Sequence, residues 1–237
     1  MQAIILAGGK GERLKPFTDT IPKPLIEVNG KAVIFQIIDY LYSYGLNKIT
    51  ITTNYKREIL IPAVRQYIID NYYSVGKQIT INFPREDLPL GTAGSFKNAR
   101  IKDISLIIQG DCLTDIRLDI FMGKHKRNSY PVTIALKRTN EVQNYGIAYM
   151  DSYGRITKFI EKPKIEIESL VNTGIYIIEP EIAKLIPSNV PFDFAKDLFP
   201  VLIKQCELGG YPMNGKWIDV GTPEHLKEAK NIFRLTD

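Results

Sequence analysis

The chain has 237 residues, of which 44% are hydrophobic and 24% charged, and its formal net charge is +5. This length suits one domain with a sizeable core, and no apolar run approaches the roughly 20 residues of a membrane span. Cys112 and Cys206 form neither a metal motif nor a disulfide framework, and the N-terminus lacks a signal peptide, so we expect a cytoplasmic protein. No stripe of basic and aromatic residues accompanies the positive charge, so we do not expect nucleic acid as a partner. Without a long apolar run, we expect no membrane partner either.

The first 110 residues alternate between strand-like and helical segments. Apolar residues 2–7 predict a buried strand, and the spacing of Ile34, Ile37, Ile38 and Leu41 predicts a helix that ends at Gly45. The remaining elements of this part are predicted as strands 48–53, 78–83 and 104–109 and helices 57–70 and 93–100, with Pro62 either kinking the first of these helices or marking its true start. This alternation predicts a parallel sheet with helices on both faces.

The second half is richer in strands joined by short turns. Strands are predicted at 132–137, 146–150, 156–160 and 171–178, and helices at 180–186, 193–206 and 222–233. Short connections favour antiparallel pairing. We therefore predict a single three-layer, Rossmann-like α/β domain over 1–237, with a mixed, mainly parallel sheet and an antiparallel elaboration in the second half.

A glycine-rich loop follows the first strand in residues 6–14, LAGGKGERL. Its glycines let backbone N–H groups approach an anion, and Arg13 adds a planar cation suited to phosphate oxygens. The spacing matches neither the Rossmann fingerprint nor a Walker A loop. Three glycines alone are equally compatible with a flexible turn.

The residues beyond this loop carry a family resemblance. Residues 14–18 (LKPFT) and 22–25 (PKPL) complete a signature that closely resembles the sugar-phosphate nucleotidyltransferases, or nucleotide-diphospho-sugar pyrophosphorylases. The later motifs of that family have counterparts here in the same order, namely PLGTAG at 89–94, QGD at 109–111, EKP at 161–163, NTG at 172–174 and WIDVGT at 217–222. Two residues depart from the usual pattern: Gln109, and Glu12, which we expect to point to solvent or to pair with a basic side chain.

The resemblance implies transfer of a nucleotidyl group from a nucleoside triphosphate to a sugar 1-phosphate, with Mg²⁺ as cofactor. The catalytic residues it implies are Arg13, Lys23 and Lys162. The nucleotide-binding residues it implies are Leu6, Ala7, Gly8, Gly9, Gly11, Arg13, Glu86, Gly91 and Thr92. The sugar phosphate would contact Gly146, Glu161, Lys162 and Asn172, and the metal Asp111 and Asp219. For Gly146 and Asn172, a hairpin glycine and a turn asparagine are the competing interpretations.

The resemblance also implies that residues of about 1–110 bind the nucleotide and residues of about 111–237 bind the sugar phosphate. The form of the motifs is most similar to the mannose-1-phosphate guanylyltransferase branch, which points to GTP with mannose 1-phosphate or a heptose 1-phosphate. Glucose-1-phosphate thymidylyl- or uridylyltransferase is the alternative. A phosphocholine cytidylyltransferase is less favoured because the EKP and NTG motifs are present. A non-catalytic sugar-nucleotide sensor is less favoured because the charged residues implied for catalysis and metal binding are all present. We expect no C-terminal β-helix, and we expect a homodimer, if one forms, to use the catalytic domain itself.

Overall fold

The computed structural model describes residues 1–164 and 167–233 of the chain. Its strands, in chain order, are β1 (Gln2–Leu6), β2 (Glu27–Val28), β3 (Lys31–Ala32), β4 (Lys48–Thr52), β5 (Thr80–Asn82), β6 (Ser105–Gln109), β7 (Cys112–Thr114), β8 (Val132–Thr139), β9 (Gly146–Met150), β10 (Ile156–Glu161), β11 (Ser169–Ile178), β12 (Leu208–Pro212) and β13 (Trp217–Asp219).

The α-helices, in chain order, are α1 (Val33–Ser43), α2 (Arg57–Asn71), α3 (Gly91–Asn98), α4 (Leu118–Asn128), α5 (Phe199–Lys204) and α6 (Pro223–Ile232). A π-helix, Phe194–Leu198, directly precedes α5, and 3₁₀ turns include Glu12–Leu14 and Lys23–Leu25. None of the helices in the described ranges combines the length and the apolarity needed to cross a membrane.

By internal contacts the chain divides into two compact units. One, here called the glycine-loop unit, comprises Gln2–Pro89, Ile108–Asp115 and Lys216–Asp237. The other, here called the antiparallel unit, comprises Met1, Leu90–Ile107 and Ile116–Gly215. The chain thus returns twice to the glycine-loop unit, and each return carries one of the aspartates that the resemblance implies as metal ligands.

The glycine-loop unit is built on parallel strands. β1 pairs with β4, with Ala3 opposite Ile49, and β4 pairs with β5. The side chains of β1 between residues 3 and 5 are fully buried. Helix α1 presents Ile34, Ile37, Ile38 and Leu41 to the core at no more than 1% exposure. Burial of each such side chain stabilises the folded state by about 1.5–3 kcal/mol. The helix ends at Ser43, and Gly45 follows with φ 76°, in the left-handed region that favours glycine.

The antiparallel unit is built around the long strand β11. This strand pairs antiparallel with β8, β9 and the first part of β6, and β9 pairs antiparallel with β10. Its aromatic core is formed by Phe96, Tyr176, Phe194 and Phe199, whose rings meet at centroid distances of 5.2–6.1 Å. Strand β12 adds a parallel pair to β8.

The predicted α/β class with a mixed sheet is confirmed: β1, β4 and β5 pair in parallel, whereas β11 pairs antiparallel with β6, β8 and β9. Pro62 lies inside α2, which begins at Arg57, so it does not mark the helix start. The single helix predicted at 193–206 is wrong in detail, because residues 194–198 form a π-helix before α5 begins. The sequence-based division at residue 110 stays a prediction about function; division by contacts places 108–115 and 216–237 with the first unit.

Candidate active site

The glycine loop leaves β1 and is held in shape by its own neighbours. Gly11 has φ 68°, and a Cβ there would lie 2.9 Å from Thr18 Cγ2 and 3.0 Å from Lys23 Cβ. The hydroxyl of Thr18 donates a hydrogen bond to the Gly11 carbonyl at 2.9 Å. Gly9, in contrast, is exposed, and a Cβ there would meet nothing within 4 Å. The loop therefore has an anchored end at Gly11 and an open stretch before it.

Lys23 and Asp111 form a largely enclosed ion pair. Lys23 begins the 3₁₀ turn Lys23–Leu25, and its Nζ donates to the carboxylate of Asp111. The Lys23 side chain is 12% exposed and that of Asp111 24% exposed. Gly110 allows the approach of this segment to β1, because a Cβ there would lie 3.1 Å from the carbonyl oxygen of Leu6.

Asp219 is placed beside Asp111 by two short strands. β13 pairs antiparallel with β7, with Asp219 opposite Cys112, and the N–H of Val220 donates to the carbonyl of Asp111 at 2.8 Å. The Asp219 carboxylate, 17% exposed, lies 3.9 Å from Arg13 Nη2. The structure thus gathers the two aspartates, Lys23 and Arg13 beside the glycine loop.

One neighbour of this cluster was missed from the sequence. His225, buried in the first turn of α6, places Nδ1 3.0 Å from Oδ1 of Asp219 and 3.0 Å from its carbonyl oxygen. The position of His225 three residues after Thr222, which caps α6, was the only available signal.

The donor set of the two aspartates suits a hard divalent cation whose remaining ligands come from a substrate. Within 1–164 and 167–233, no group of three or more His, Cys, Asp or Glu side chains is arranged to hold a metal by itself. Mg²⁺ commonly takes one or two protein carboxylates and completes its shell with water and substrate phosphates. Asp111 and Asp219 therefore fit such an ion.

Cys112 follows Asp111 and lies opposite Asp219 in the pairing of β7 with β13, but it does not suit nucleophilic chemistry. Its side chain is buried, and this burial, together with the negative charges of Asp111 and Asp219, raises the pKa of the thiol well above its usual value. A thiol held protonated is a poor nucleophile. Glu12, as expected, is exposed to solvent.

The implied nucleotide-binding residues beyond the loop have internal roles. Glu86 is buried in the glycine-loop unit, and its carbonyl accepts a long contact from Asn54 Nδ2 at 3.5 Å. In the antiparallel unit, Gly91 has φ 70°, and a Cβ there would lie 2.8 Å from the Phe192 carbonyl oxygen. The hydroxyl of Thr92 bonds Asp193 Oδ1 and accepts from the N–H of Phe194, each at 3.0 Å.

The implied sugar-phosphate residues meet at the ends of neighbouring strands in the antiparallel unit. Glu161 lies opposite Gly146, and a Cβ on Gly146 would come 2.2 Å from the ring of Phe159 and 2.8 Å from Glu161 Oε2. The glycine thus makes room for its partner strand. Lys162 follows with φ 46° and an exposed side chain, its N–H bonded to the carbonyl of Tyr145 at 3.1 Å.

Asn172 lies one residue beyond Val171, which pairs with β9. Its Oδ1 accepts from the N–H of Gly174 at 3.0 Å, and its Nδ2 donates to the hydroxyl of Tyr176 at 3.1 Å. These bonds hold an irregularity in β11 between residues 172 and 176, where Gly174 has φ 76°. The amide of Asn172 therefore shapes the strand, as the turn interpretation predicted. In the sheet, one strand, β9, separates Asn172 on β11 from Glu161 on β10.

Comparison with known proteins identifies relatives over nearly the whole chain. A mannose-1-phosphate guanyltransferase from Candida albicans is 33% identical over 98% of this chain, and the chain spans 64% of that relative's length. The structure of HddC from Yersinia pseudotuberculosis complexed with GMP-PN matches with a TM-score of 0.80 at 27% identity, over 97% of this chain and 98% of the other.

A Bacillus anthracis structure described as a glucose-1-phosphate thymidylyltransferase in complex with a sucrose matches with a TM-score of 0.85 over 100% of this chain and 96% of the other. Its identity is 22%, so this likeness supports the fold. The family model described as nucleotidyl transferase matches residues 2–234. The chain belongs to the nucleotidyl transferase family.

Proposed function

We propose that this protein transfers a nucleotidyl group from a nucleoside triphosphate to a sugar 1-phosphate, giving a nucleotide sugar and pyrophosphate. The observation that carries the proposal is the cluster of Arg13, Lys23, Asp111 and Asp219 beside the glycine loop. Cations and carboxylates beside an anion-binding loop suit transfer between phosphates. The names of the relatives and the family support the same class.

The chemistry needs little from the protein beyond placement and charge. An oxygen of the sugar 1-phosphate forms a bond to the α-phosphorus, and the bond from that phosphorus to the bridging oxygen of the β-phosphate breaks. The nucleophile is already an anion, so no proton has to be removed. Arg13 and Lys23 would hold the triphosphate and offset the charge that gathers on the leaving pyrophosphate.

Asp111 and Asp219 would hold the divalent cation, which we propose is Mg²⁺. When bound, the ion neutralises phosphate charge. Lys23 and Arg13 contact the same carboxylates. Each carboxylate therefore has a cationic side chain beside it, which limits repulsion between the two aspartates.

The remaining contacts follow the division implied by the motifs. We propose that the backbone of Leu6 to Gly11, with Glu86, Gly91 and Thr92, contacts the nucleotide. Glu161, with Gly146 and Asn172, would contact sugar hydroxyls, and the exposed Lys162 would hold the sugar phosphate. Thr92 and Asn172 would act mainly through the backbone they fix, since their side chains already make two hydrogen bonds each.

For the substrates, we propose GTP with mannose 1-phosphate or a heptose 1-phosphate. The guanyltransferase relatives and the neighbour complexed with GMP-PN support the guanine base. A thymidylyl- or uridylyltransferase acting on glucose 1-phosphate is the second candidate. The cytoplasmic setting and a homodimer stay predictions from the sequence.

The experiment is a panel of five nucleoside triphosphates against several sugar 1-phosphates, read by pyrophosphate release. We expect GTP with mannose 1-phosphate or a heptose 1-phosphate to give the highest kcat/KM, and release to require Mg²⁺. Highest activity with dTTP or UTP and glucose 1-phosphate would favour the second candidate. Release at background in every combination would contradict the proposal.

A further inference from the structure

We infer that His225 is a positioning residue for the carboxylate of Asp219. The inference deepens the proposed function and rests on it, since it concerns how one of the two proposed metal-binding carboxylates is held. The family resemblance implies no role for His225. The role inferred here rests on the contacts of His225 in this chain.

The contacts of His225 fix which ring nitrogen carries a proton. Nδ1 lies 3.0 Å from Oδ1 of Asp219 and 3.0 Å from the carbonyl oxygen of the same residue. Both partners are acceptors, since a carboxylate and a carbonyl have no proton to give. Nδ1 must therefore be an N–H donor, directed at Asp219, whose carbonyl oxygen and Oδ1 both lie 3.0 Å away.

The local sequence explains why the ring lies there. Thr222 caps α6, and its hydroxyl accepts from the N–H of His225 at 3.2 Å, which fixes the first turn of the helix. Pro223 occupies the first helical position, where a missing N–H costs nothing. The His225 side chain is only 10% exposed. The position of the imidazole is thus fixed by the backbone hydrogen bond of His225 and by burial, independently of its contact with Asp219.

The two oxygens of Asp219 have different neighbours. Oδ1 lies 3.0 Å from His225 Nδ1, whereas Oδ2 lies on the side of Arg13 Nη2. A Cβ on Gly221 would lie 2.6 Å from Oδ2 and 3.0 Å from Arg13 Nη2, so the glycine keeps that side open. His225 therefore sets the rotation of the carboxylate and leaves Oδ2 directed to the side where Arg13 lies.

A preset carboxylate binds a cation better because it does not lose its rotational freedom on binding. Groups that hydrogen-bond to metal-binding side chains commonly change metal affinity by about 10- to 100-fold when they are removed. The competing interpretation is that His225 only packs α6, in which case loss of its N–H would change stability and leave cation binding unchanged.

The test compares His225→Leu with His225→Asn. Leu and Asn have nearly the same shape, but Asn places an N–H donor at the position of Nδ1. His125→Asn serves as the control for loss of a buried imidazole, because His125 bonds Thr133 and Glu179 in the antiparallel unit. Two readouts are taken for each protein: the Mg²⁺ concentration for half-maximal pyrophosphate release, and Mn²⁺ binding in the presence of GTP without sugar phosphate, followed by electron paramagnetic resonance.

We expect His225→Leu to raise both the half-saturating Mg²⁺ concentration and the Mn²⁺ dissociation constant on the order of tenfold. His225→Asn should recover most of that loss, and His125→Asn should match the wild type. If His225→Leu matches the wild type in Mn²⁺ binding, or His225→Asn is as impaired as His225→Leu, the positioning role is wrong. A wild type that binds Mn²⁺ with GTP but releases no pyrophosphate contradicts the proposed function alone, and one that binds no Mn²⁺ contradicts both.

Discussion

At the scale of single residues, the candidate site depends on where side chains are missing as much as on where they are present. Gly221 follows Asp219 by two positions, and its N–H donates to the carbonyl of that residue at 2.8 Å. A Cβ at Gly221 would enter the space of Asp219 Oδ2 and Arg13 Nη2. A distance of 2.6 Å to the carboxylate oxygen is well inside van der Waals contact, so one of the two charged groups has to move.

Gly221→Ala is therefore expected to lower turnover about tenfold or more with little change in stability, because a displacement near 1 Å in a placed charge is costly to catalysis. Steady-state kinetics at several Mg²⁺ concentrations, with thermal unfolding alongside, give the measurement. Gly123→Ala is the matched control: this glycine lies inside α4, and a Cβ there would meet only Arg127 at 4.0 Å. Equal kinetics for Gly221→Ala and the wild type would show that the space beside Asp219 is not used.

At the scale of secondary-structure elements, the start of α3 is joined to the segment before the π-helix. Asp193 Oδ1 accepts from both the N–H and the hydroxyl of Thr92, and the N–H of Phe194 donates to that hydroxyl. Gly91 fits against the backbone of Phe192 at the same place. These contacts with residues 192–194 fix the backbone of the PLGTAG motif without the help of a ligand.

Replacement of Thr92 by Val keeps the shape and removes the hydroxyl, which leaves the Phe194 N–H without its acceptor. We expect a loss of about 1–2 kcal/mol in the free energy of unfolding, measured by urea denaturation, while Thr92→Ser stays close to the wild type. An unchanged unfolding free energy together with weaker GTP binding would instead assign the hydroxyl to the ligand.

The elements that the sequence predicted are those whose own residues carry the signal. The helix α1 and the strands β1 and β4 are apolar runs with clear ends, and they lie where expected. Strand β12 (LGGYP) has two glycines and a proline and shows no such pattern. It forms because its glycines allow close packing: a Cβ on Gly209 would lie 2.5 Å from the ring of Tyr130.

The same reasoning explains what could be predicted of the site. The motif residues were found because each motif is continuous along the chain. The contact of His225 with Asp219 and the packing of Gly221 depend on the pairing of β7 with β13, two three-residue strands about a hundred positions apart. Strands of that length have no periodicity to read, so their pairing and its consequences became visible only in three dimensions.

At the scale of the whole molecule, the buried His125 links stability to pH. Burial lowers the pKa of His125 below its usual value of 6.5, against the opposing effect of Glu179. The unfolded chain therefore binds a proton more readily than the folded one, so the stability contributed by neutral His125 is present above about pH 6.5 and is lost as pH falls through the lower pKa of the folded protein.

We expect the unfolding free energy to fall between pH 7.5 and pH 5 more steeply in the wild type than in His125→Gln, because the glutamine side chain does not titrate. Urea denaturation at half-unit pH steps measures the difference. If the unfolding free energies of the two proteins change in parallel with pH, His125 binds a proton equally well in the folded and the unfolded chain, and the account of His125 is wrong.

The central claim for the molecule is that a nucleotidyl group, and not a terminal phosphoryl group, is transferred. Incubation with GTP labelled with ³²P at either the α- or the γ-position, together with mannose 1-phosphate and Mg²⁺, tests it directly. We predict that the α-label appears in a nucleotide sugar and the γ-label in pyrophosphate. Recovery of the γ-label in a sugar phosphate, or in free orthophosphate with GDP as the other product, would contradict the account.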